Sequence, residues 1–329
     1  MDNKPLLKPI ILSKLKLRGN IFLAPMAGYS DLSFRQICCE EGAFLAYTEM
    51  VSANAMVHHS EKTMGLMKTF PGETLAVQLF ASDPEVAAKA AGIISKRVNP
   101  AIIDLNCGCS IPKILKAGCG AELLRHPKRI GEIIKAIKSE TSSIVTLKFR
   151  SGWDFESINY LETAEEAQKN GAEMLTLHPR TRSQLFKGIA KLEHLADLKK
   201  HASVHVIGSG DLFSPEDVLN MMLKTAVDGV MIARGAIGNP FIFNQTIKLL
   251  TNKEASPPPS AEWRIKTAMG QLELTIADRG EERACKEMRK HFSAYTKGIE
   301  GSSILRRDII RAKTLDEYKS ITQAFLKKQ

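Results

Sequence analysis

The chain has 329 residues, of which 44% are hydrophobic and 25% are charged, which is typical of a globular protein with a full core and excludes a disordered chain. No apolar run reaches the roughly 20 residues that a membrane span needs, and the opening Met1-Asp-Asn-Lys-Pro5 has no apolar signal-peptide core. Six irregularly spaced cysteines indicate free thiols rather than a disulfide framework. We therefore expect a cytoplasmic protein without membrane contact.

The positive charge is concentrated towards one end. Lys and Arg number 46 against 36 Asp and Glu, a net charge of +10, and residues 251–329 alone hold 16 basic and 11 acidic residues, a net charge of +5. A basic excess in one segment favours a polyanionic partner. A solvated basic face would give the same count, so the charge alone leaves both interpretations open.

Eight apolar runs of strand length recur with helical segments between them. They are continuous rather than alternating, as expected of parallel strands that are covered on both faces. The runs are 21–24, 44–47, 75–79, 101–105, 144–149, 174–177, 204–207 and 229–232. Eight strand–helix units of about thirty residues predict an α/β fold, a (β/α)8 TIM barrel, with a doubly wound sheet as the alternative.

Polar cap residues, three of them followed by proline, mark helix starts between these runs. The predicted helices are 32–41, 85–97, 128–137, 216–223 and, as the last helix of the barrel, 241–250. The segment after it, Thr251 to Ser260, holds three consecutive prolines and predicts a stiff linker. We expect a barrel over 1–250, a linker over 251–259 and a small helical domain over 260–329, with a capping box at Thr314 to Glu317 and breaks at Gly298 and Gly301.

Polar and small residues follow the predicted strands and should meet at one end of the barrel, where the chemistry of this fold is placed. They are Pro25, Met26, Ala27, Gly28, Glu49, Gln78, Asn106 to Cys109, Lys148, Arg150, His178, Arg180, Gly208 to Asp211 and Ala233 to Gly235. The small residues after the last two strands predict a phosphate site, to which Arg234 adds a permanent charge. Each of these residues alone also has a structural explanation, as a turn glycine, a loop cap or a snorkelling lysine.

Three cysteines, 107, 109 and 119, lie in or near the loop after the fourth run. Structural zinc usually has four ligands and C-x2-C spacing, and no fourth ligand is nearby, so we expect no metal. Cys109 combines a strand-end loop, a neighbouring Asn106 and a small spacer, which favours it as a general acid. Cys38, Cys39 and Cys285 are expected to be core thiols.

Several motifs, in order along nearly the whole chain, resemble the tRNA-dihydrouridine synthases, a family of flavin enzymes. They are Ala24-Pro-Met-Ala-Gly-Tyr-Ser-Asp31, Asn106-Cys-Gly-Cys109, Lys113, Gly118-Cys-Gly-Ala121, Lys148-Phe-Arg150, His178-Pro-Arg-Thr-Arg182, Gly235 to Phe243 and, in the tail, Arg289 to Gly298. Two positions depart from the family pattern. Ser110 stands where the family usually has proline, and Ser209 stands where it usually has asparagine.

The resemblance implies that reduced FMN passes a hydride to C6 of a uracil ring while Cys109 delivers a proton to C5. It implies FMN contacts from Met26, Ala27, Gly28, Gln78, Lys148 and His178, and phosphate contacts from Ser209, Gly210, Asp211, Ala233 and Arg234. Asn106, Lys113 and Arg180 would contact the substrate, whose base must leave its RNA stack. The expected reductant is NADPH as a transient visitor, since no G-x-G-x-x-G follows a strand.

The partner implied by the resemblance is tRNA, which the tail would bind. The expected contacts are Arg289, Lys290, Lys297, Arg306, Arg307 and Arg311, with Tyr295 stacking on a splayed base. The alternative is a helical bundle whose aromatic residues are core. Two further alternatives are a flavin barrel that acts on a free pyrimidine and a non-catalytic RNA-binding protein. We expect a monomer.

Overall fold

Eleven strands are present in the computed structural model, which describes residues 5–328. In chain order they are β1 (Ile10–Leu12), β2 (Leu15–Leu17), β3 (Ile21–Leu23), β4 (Leu45–Tyr47), β5 (Val51–Ser52), β6 (Leu75–Phe80), β7 (Ile102–Cys107), β8 (Ile144–Arg150), β9 (Met174–His178), β10 (His205–Ser209) and β11 (Gly229–Ile232). Strands β3, β4 and β6 to β11 pair in parallel, and β11 pairs with β3, with Val230 opposite Ile21. The sheet is therefore a closed eight-stranded barrel, and the predicted fold is confirmed.

Fourteen α-helices are present among residues 5–328; the first ten lie between the barrel strands or directly after the last one, and four more follow in the chain. They are α1 (Leu32–Glu40), α2 (Ala53–Val57), α3 (Glu61–Met64), α4 (Pro84–Val98), α5 (Pro112–Lys116), α6 (Pro127–Ser139), α7 (Tyr160–Lys169), α8 (Leu192–His201), α9 (Pro215–Thr225), α10 (Ile242–Asn252), α11 (Ala261–Arg279), α12 (Glu281–Tyr295), α13 (Ser302–Arg311) and α14 (Leu315–Leu326). The predicted side-chain caps are present at α1, α4 and α9, whereas His126 makes no cap hydrogen bond at the start of α6. The Asp83 side chain accepts the Glu85 and Val86 N–H groups at 3.0 Å, and Ser214 forms a capping box with Asp217.

The hairpin β1–β2 precedes the barrel and was not predicted. Its buried side chains Ile10, Leu12 and Leu17 pack in one cluster with Ile102 and Ile144, the first residues of β7 and β8. The hairpin therefore covers the amino end of the barrel. The carboxyl ends of the strands stay open to solvent, and this is the end at which barrel enzymes hold their sites.

Helices α11 to α14 form a bundle with a core of its own. Leu272, Met288 and Phe292 are buried in that core, and the Phe292 ring packs against Tyr318 with the centroids 5.1 Å apart. The predicted capping box at Thr314 and Glu317 is present at the start of α14. Between Asn252, the last residue of α10, and Ala261, the first of α11, no helix or strand is present.

The bundle packs on the barrel through α11 and α1. The hydroxyls of Ser33 and Thr275 are 2.8 Å apart, and Arg279 lies 3.6 Å from the carboxylate of Asp31, the N-cap of α1. The hydroxyl contact is buried and the Arg279 side chain is 16% exposed, so the bundle is held against the barrel at this helix. Within residues 5–328, none of the helices combines the length and the apolarity that a membrane span requires.

Candidate active site

A cleft of about 700 Å³ opens at the carboxyl ends of the barrel strands. Most of the predicted site residues line it. They are Met26, Ala27, Gln78, Asn106, Cys109, Lys148, His178, Ser209, Gly210, Asp211, Ala233 and Arg234. Tyr29, Met50, Phe186 and Phe213 also line the cleft, although the sequence analysis assigned them no role. Of the residues predicted to contact the cofactor or the base, Gly28, Lys113 and Arg180 are not among the lining residues.

The loop after β7 presents Cys109 to the cleft and is fixed from several sides. The amide oxygen of Asn106 accepts the N–H groups of Gly108 at 3.1 Å and Cys109 at 2.9 Å. The Ala121 N–H donates to Cys109 O at 2.9 Å, and the Arg150 Nε donates to Gly108 O at 2.9 Å. All six thiols are described, and Cys109 is the one that lines the cleft, whereas Cys107 and Cys119 are buried.

A chain of side-chain hydrogen bonds runs from Asn106 to the buried Asp104. The Asn106 Nδ2 donates to Gln78 Oε1 at 2.7 Å, and the Gln78 Nε2 donates to Asp104 Oδ2 at 2.7 Å. Because an ionised carboxylate only accepts, Asp104 fixes the orientation of both amides and thereby turns Asn106 Oδ1 to the Cys109 loop. Asp104 was assigned no role from the sequence, although a carboxylate inside an apolar strand indicates a buried polar contact.

Burial dominates the electrostatics of this network. It raises the pKa of Asp104 to about 6, against the hydrogen bonds from Gln78 and Thr146, which lower it. Burial also lowers the pKa of Lys148 to about 8, and Arg150 acts in the same direction. For His178, burial and the nearby Arg150 and Lys148 hold the pKa well below its ordinary value, so that its ring is neutral at pH 7.

Burial raises the pKa of the Cys109 thiol as well. The Ile111 backbone and the Arg150 guanidinium lower it and oppose that shift. The thiol therefore stays protonated at neutral pH, while Arg150 is placed to stabilise the thiolate that remains after proton donation.

Two loops after β10 and β11 approach each other closely. A Cβ on Gly210 would lie 2.8 Å from the His178 ring, and a Cβ on Gly235 would overlap Leu212 O. Arg234 stands beside these loops between two phenylalanines, with its guanidinium carbon 4.2 Å from the Phe186 ring centroid and 5.3 Å from that of Phe213. Closely packed backbone next to an arginine is a setting in which a phosphate group can bind.

Arg180 was predicted to contact the substrate, and the structure corrects this. Its side chain is 2% exposed, and it donates to both carboxylate oxygens of Asp211, at 2.8 and 2.6 Å. Although burial opposes ionisation, Arg180 and the Ala190 N–H hold the pKa of Asp211 below its ordinary value. The Asp211 carboxylate is thus occupied within the protein, which leaves its backbone to contact a phosphate group.

Lys113 is the second residue that the structure does not bring into the cleft. It is exposed on α5, which begins at Pro112. Its predecessors Ile111 and Pro112 line the cleft instead. Only Ser110, Ile111 and Pro112 separate Lys113 from Cys109, and sequence spacing could not fix the direction in which α5 leaves the loop.

In the bundle, the prediction for Tyr295 is wrong. The ring is fully buried and its hydroxyl donates to Gln271 Oε1 at 2.9 Å, so it cannot stack on a base. Arg289 and Arg306 are half-buried and donate to Ala312 O and Ser302 Oγ respectively. The Lys290 ammonium donates to Gly28 O. Lys297, Arg307 and Arg311 are exposed.

Among residues 5–328, no group of three or more His, Cys, Asp or Glu side chains is arranged to hold a metal ion. A (β/α)8 barrel with a largely apolar cleft at the carboxyl ends of its strands, into which a few polar side chains converge, has the architecture of a TIM-barrel enzyme.

The chain belongs to the dihydrouridine synthase (Dus) family, whose profile matches residues 22–329. It is 42% identical over 331 aligned positions to the probable tRNA-dihydrouridine synthase of Treponema pallidum, covering 98% of this chain and 97% of that protein. It is 35% identical to tRNA-dihydrouridine synthase B of Pasteurella multocida, covering 89% of this chain and 88% of that one.

Solved structures share the fold at low sequence identity. Histamine dehydrogenase from Rhizobium sp. 4-9 is 15% identical, with a TM-score of 0.57 over 82% of this chain and 51% of that chain. A 2-naphthoyl-CoA reductase is 12% identical, with a TM-score of 0.53 over 74% of this chain and 52% of that chain. This chain spans about half the length of both proteins, and the likeness supports the barrel alone.

Proposed function

We propose that this protein is a tRNA-dihydrouridine synthase that uses FMN to reduce the C5–C6 double bond of specific uridines in tRNA. The observation that carries the proposal is a single anchored thiol, Cys109, in the same cleft as Arg234 and the loops that would bind a phosphate. The names of the relatives, tRNA-dihydrouridine synthases in Treponema pallidum and Pasteurella multocida, support the choice of substrate.

FMN fits the residues at hand. The close backbones at Gly210 and Gly235 and the charge of Arg234 would hold its monophosphate. Met26, Ala27, Gln78 and Lys148 line the same cleft and would surround its ring. When bound and reduced, FMN supplies a hydride to C6 of uracil. NADPH is proposed as the reductant, entering the same cleft in a separate half-reaction.

Cys109 delivers the proton to C5. The thiol S–H bond breaks as the C5–H bond forms, which leaves a thiolate beside Arg150 and a neutral dihydrouracil ring. Solvent then returns a proton to the sulfur. The second amide hydrogen of Asn106 has only the weak acceptor Met50 Sδ at 3.9 Å, so a uracil oxygen would be a better partner for it.

The base must leave its RNA stack to reach Cys109 in the cleft, because C6 is inaccessible inside an RNA helix. We propose that the exposed basic residues of the bundle hold the rest of the tRNA, and that the protein works as a cytoplasmic monomer on that substrate. Phosphate contacts by Lys297, Arg307 and Arg311 would position the RNA without reading its sequence.

The test is to incubate the purified protein with unmodified tRNA, FMN and NADPH and to measure dihydrouridine by mass spectrometry. Cys109→Ala should keep FMN and its reduction by NADPH but lose product by about 10²–10⁴-fold, the usual contribution of a positioned acid. Cys107→Ala is the matched control and should retain product formation. A larger loss in Cys107→Ala than in Cys109→Ala would contradict the assignment.

The alternatives give different results in the same assay. Turnover of free uridine at the rate of tRNA would indicate an enzyme for free pyrimidines, and colourless protein that binds tRNA but no FMN would indicate a binding protein. Arg234→Ala tests the phosphate position, since it should weaken FMN binding. Unchanged FMN affinity in that variant would place the phosphate elsewhere.

A further inference from the structure

Two neighbouring residues of α12, Lys290 and His291, lie against a loop of the barrel rather than only facing solvent. The loop is 25–30, which follows β3 and supplies Met26, Ala27 and Tyr29 to the cleft wall. Lys290 contacts Gly28 and Tyr29 of this loop, and His291 contacts Tyr29. The helical bundle therefore reaches the cleft wall directly.

Lys290 ties the backbone of this loop. Its ammonium donates to Gly28 O and lies 5.0 Å from the centroid of the Tyr29 ring, within the range of a cation–π contact. The N–H of the same glycine donates to the Glu49 carboxylate, which belongs to the barrel. Gly28 has φ of +78°, a conformation that glycine adopts readily and that its two backbone contacts hold in place. One of these two contacts comes from the bundle.

His291 packs against the ring of Tyr29. The imidazole is 1% exposed and meets the Tyr29 ring edge-on at 5.3 Å, with Phe34 on a further side at 5.4 Å. Neither ring nitrogen has a hydrogen-bond partner among the described residues. The side chain therefore acts here through its shape, as a spacer between the cleft wall and α1.

We propose that Lys290 and His291 are positioning residues, which set the conformation of loop 25–30 and hence the seat of the flavin ring. The proposal rests on the proposed function only for the identity of FMN. It differs from the expectation from sequence, in which Lys290 binds an RNA phosphate. The physical reason is that reacting groups must be held closely, and a misplacement of about 1 Å can reduce a rate by about 10²-fold.

Lys290→Met separates the two roles because it removes the ammonium and keeps an apolar side chain that can still cover Tyr29. A positioning role predicts about tenfold weaker FMN binding, the effect of losing one charged hydrogen bond, with the salt slope of tRNA binding unchanged. A phosphate contact predicts unchanged FMN affinity and a salt slope smaller by about one unit. The second result, or no change in either quantity, would overturn the proposal for Lys290.

Lys297→Met is the matched control, since Lys297 is exposed in the same bundle beyond the end of α12. It should leave FMN affinity unchanged. If Lys297→Met weakens FMN binding as much as Lys290→Met, the effect belongs to general charge and the proposal fails.

The role of His291 is tested by comparing the FMN affinity of two variants, one with a large and one with a small side chain. His291→Phe keeps a ring between Tyr29 and Phe34 and should bind FMN within about twofold of the wild type, because neither imidazole nitrogen is bonded. His291→Ala leaves a cavity behind Tyr29 and should weaken FMN binding by about tenfold. Equal FMN affinity in His291→Ala and wild type would exclude the spacer role.

A measurement without cofactor keeps this proposal separate from the proposed function. In FMN-free protein, Lys290→Met and His291→Ala should raise amide hydrogen exchange in the peptide that contains 25–31 by about tenfold over wild type, while Lys297→Met should not. If wild-type protein binds no FMN but the exchange increases as expected, the function fails and the positioning role stands. Unchanged exchange in both variants overturns the positioning role itself.

Discussion

The amide oxygen of Asn106 accepts the backbone N–H of Cys109 at 2.9 Å, and the same oxygen accepts the N–H of Gly108 at 3.1 Å. One side chain thus satisfies two backbone donors of the loop that carries the thiol. Gln78 and Asp104 orient that side chain from behind, so the loop is held by a relay that begins in the barrel core.

Asn106→Ala should therefore weaken the fold as well as the site. It leaves two loop donors and the Gln78 carbonyl oxygen without a partner, and we expect the free energy of unfolding to fall by about 1–3 kcal/mol. Urea denaturation measures it. Asn54→Ala, at an exposed position of α2, is the control and should change stability by less than about 0.5 kcal/mol. Equal urea midpoints for the two variants would show that the Asn106 contacts contribute nothing.

The reach of sequence reasoning differs between the barrel and its cleft. The eight strands were predicted nearly to the residue, because continuous apolar runs with proline-marked helix starts between them are a strong local signal. The hairpin β1–β2 was missed, since two three-residue strands carry too little pattern. The order of the strands also predicted most of the residues that line the cleft, because parallel strands end at the same end of the barrel.

Side-chain direction and partners did not follow from the sequence. Arg180 and Lys113 have the residue types of substrate contacts, yet one is paired with Asp211 and the other is exposed outside the cleft. Tyr295 shows the same limit in the bundle, where its burial depends on how α11 and α12 pack. These outcomes depend on tertiary contacts far apart in the chain, and no local pattern encodes them.

The Cys109 thiol should remain protonated at neutral pH. Burial raises its pKa above the ordinary value, and only the thiolate is alkylated, so the rate of alkylation should still be rising at pH 9. The measurement is the rate at which iodoacetamide labels the Cys109 peptide, followed by mass spectrometry. A short unstructured peptide with one internal cysteine is the reference, and its rate should level off above the ordinary thiol pKa of about 8.5. A plateau below pH 8 would mean a thiolate at rest and would argue against a general acid.

Arg180→Met should lower the free energy of unfolding by more than the loss of an exposed ion pair does. The substitution removes the buried partner of Asp211. Such a change lowers stability by about 3–5 kcal/mol at a fully buried site, and by less here because Asp211 is 30% exposed. The control is Arg129→Met, since Arg129 and Asp83 are 41% and 48% exposed and such a pair contributes about 0–1 kcal/mol. The loss of stability is measured by thermal unfolding of both variants. Similar losses of stability in the two would show that burial does not strengthen the Arg180–Asp211 pair.

The last prediction concerns Lys297, Arg307 and Arg311, three exposed cations of the bundle. Cutting the chain at the proline-rich segment would strip Thr275 and Arg279 from α1, so substitution is the cleaner test. Replacing Lys297, Arg307 and Arg311 together by Met should weaken tRNA binding and reduce the log–log salt slope by about two to three units, because each phosphate contact releases somewhat less than one counterion.

Its control is a second triple variant on the barrel surface, at Lys89, Lys96 and Lys135, whose helices α4 and α6 lie away from the cleft-lining residues. That variant loses the same charge, and we expect it to keep the salt slope of the wild type. If both triple variants reduce the slope equally, tRNA responds to net charge alone and the bundle has no special role in binding. If only the bundle variant does, the exposed cations of α13 and of the turn between α12 and α13 hold the RNA.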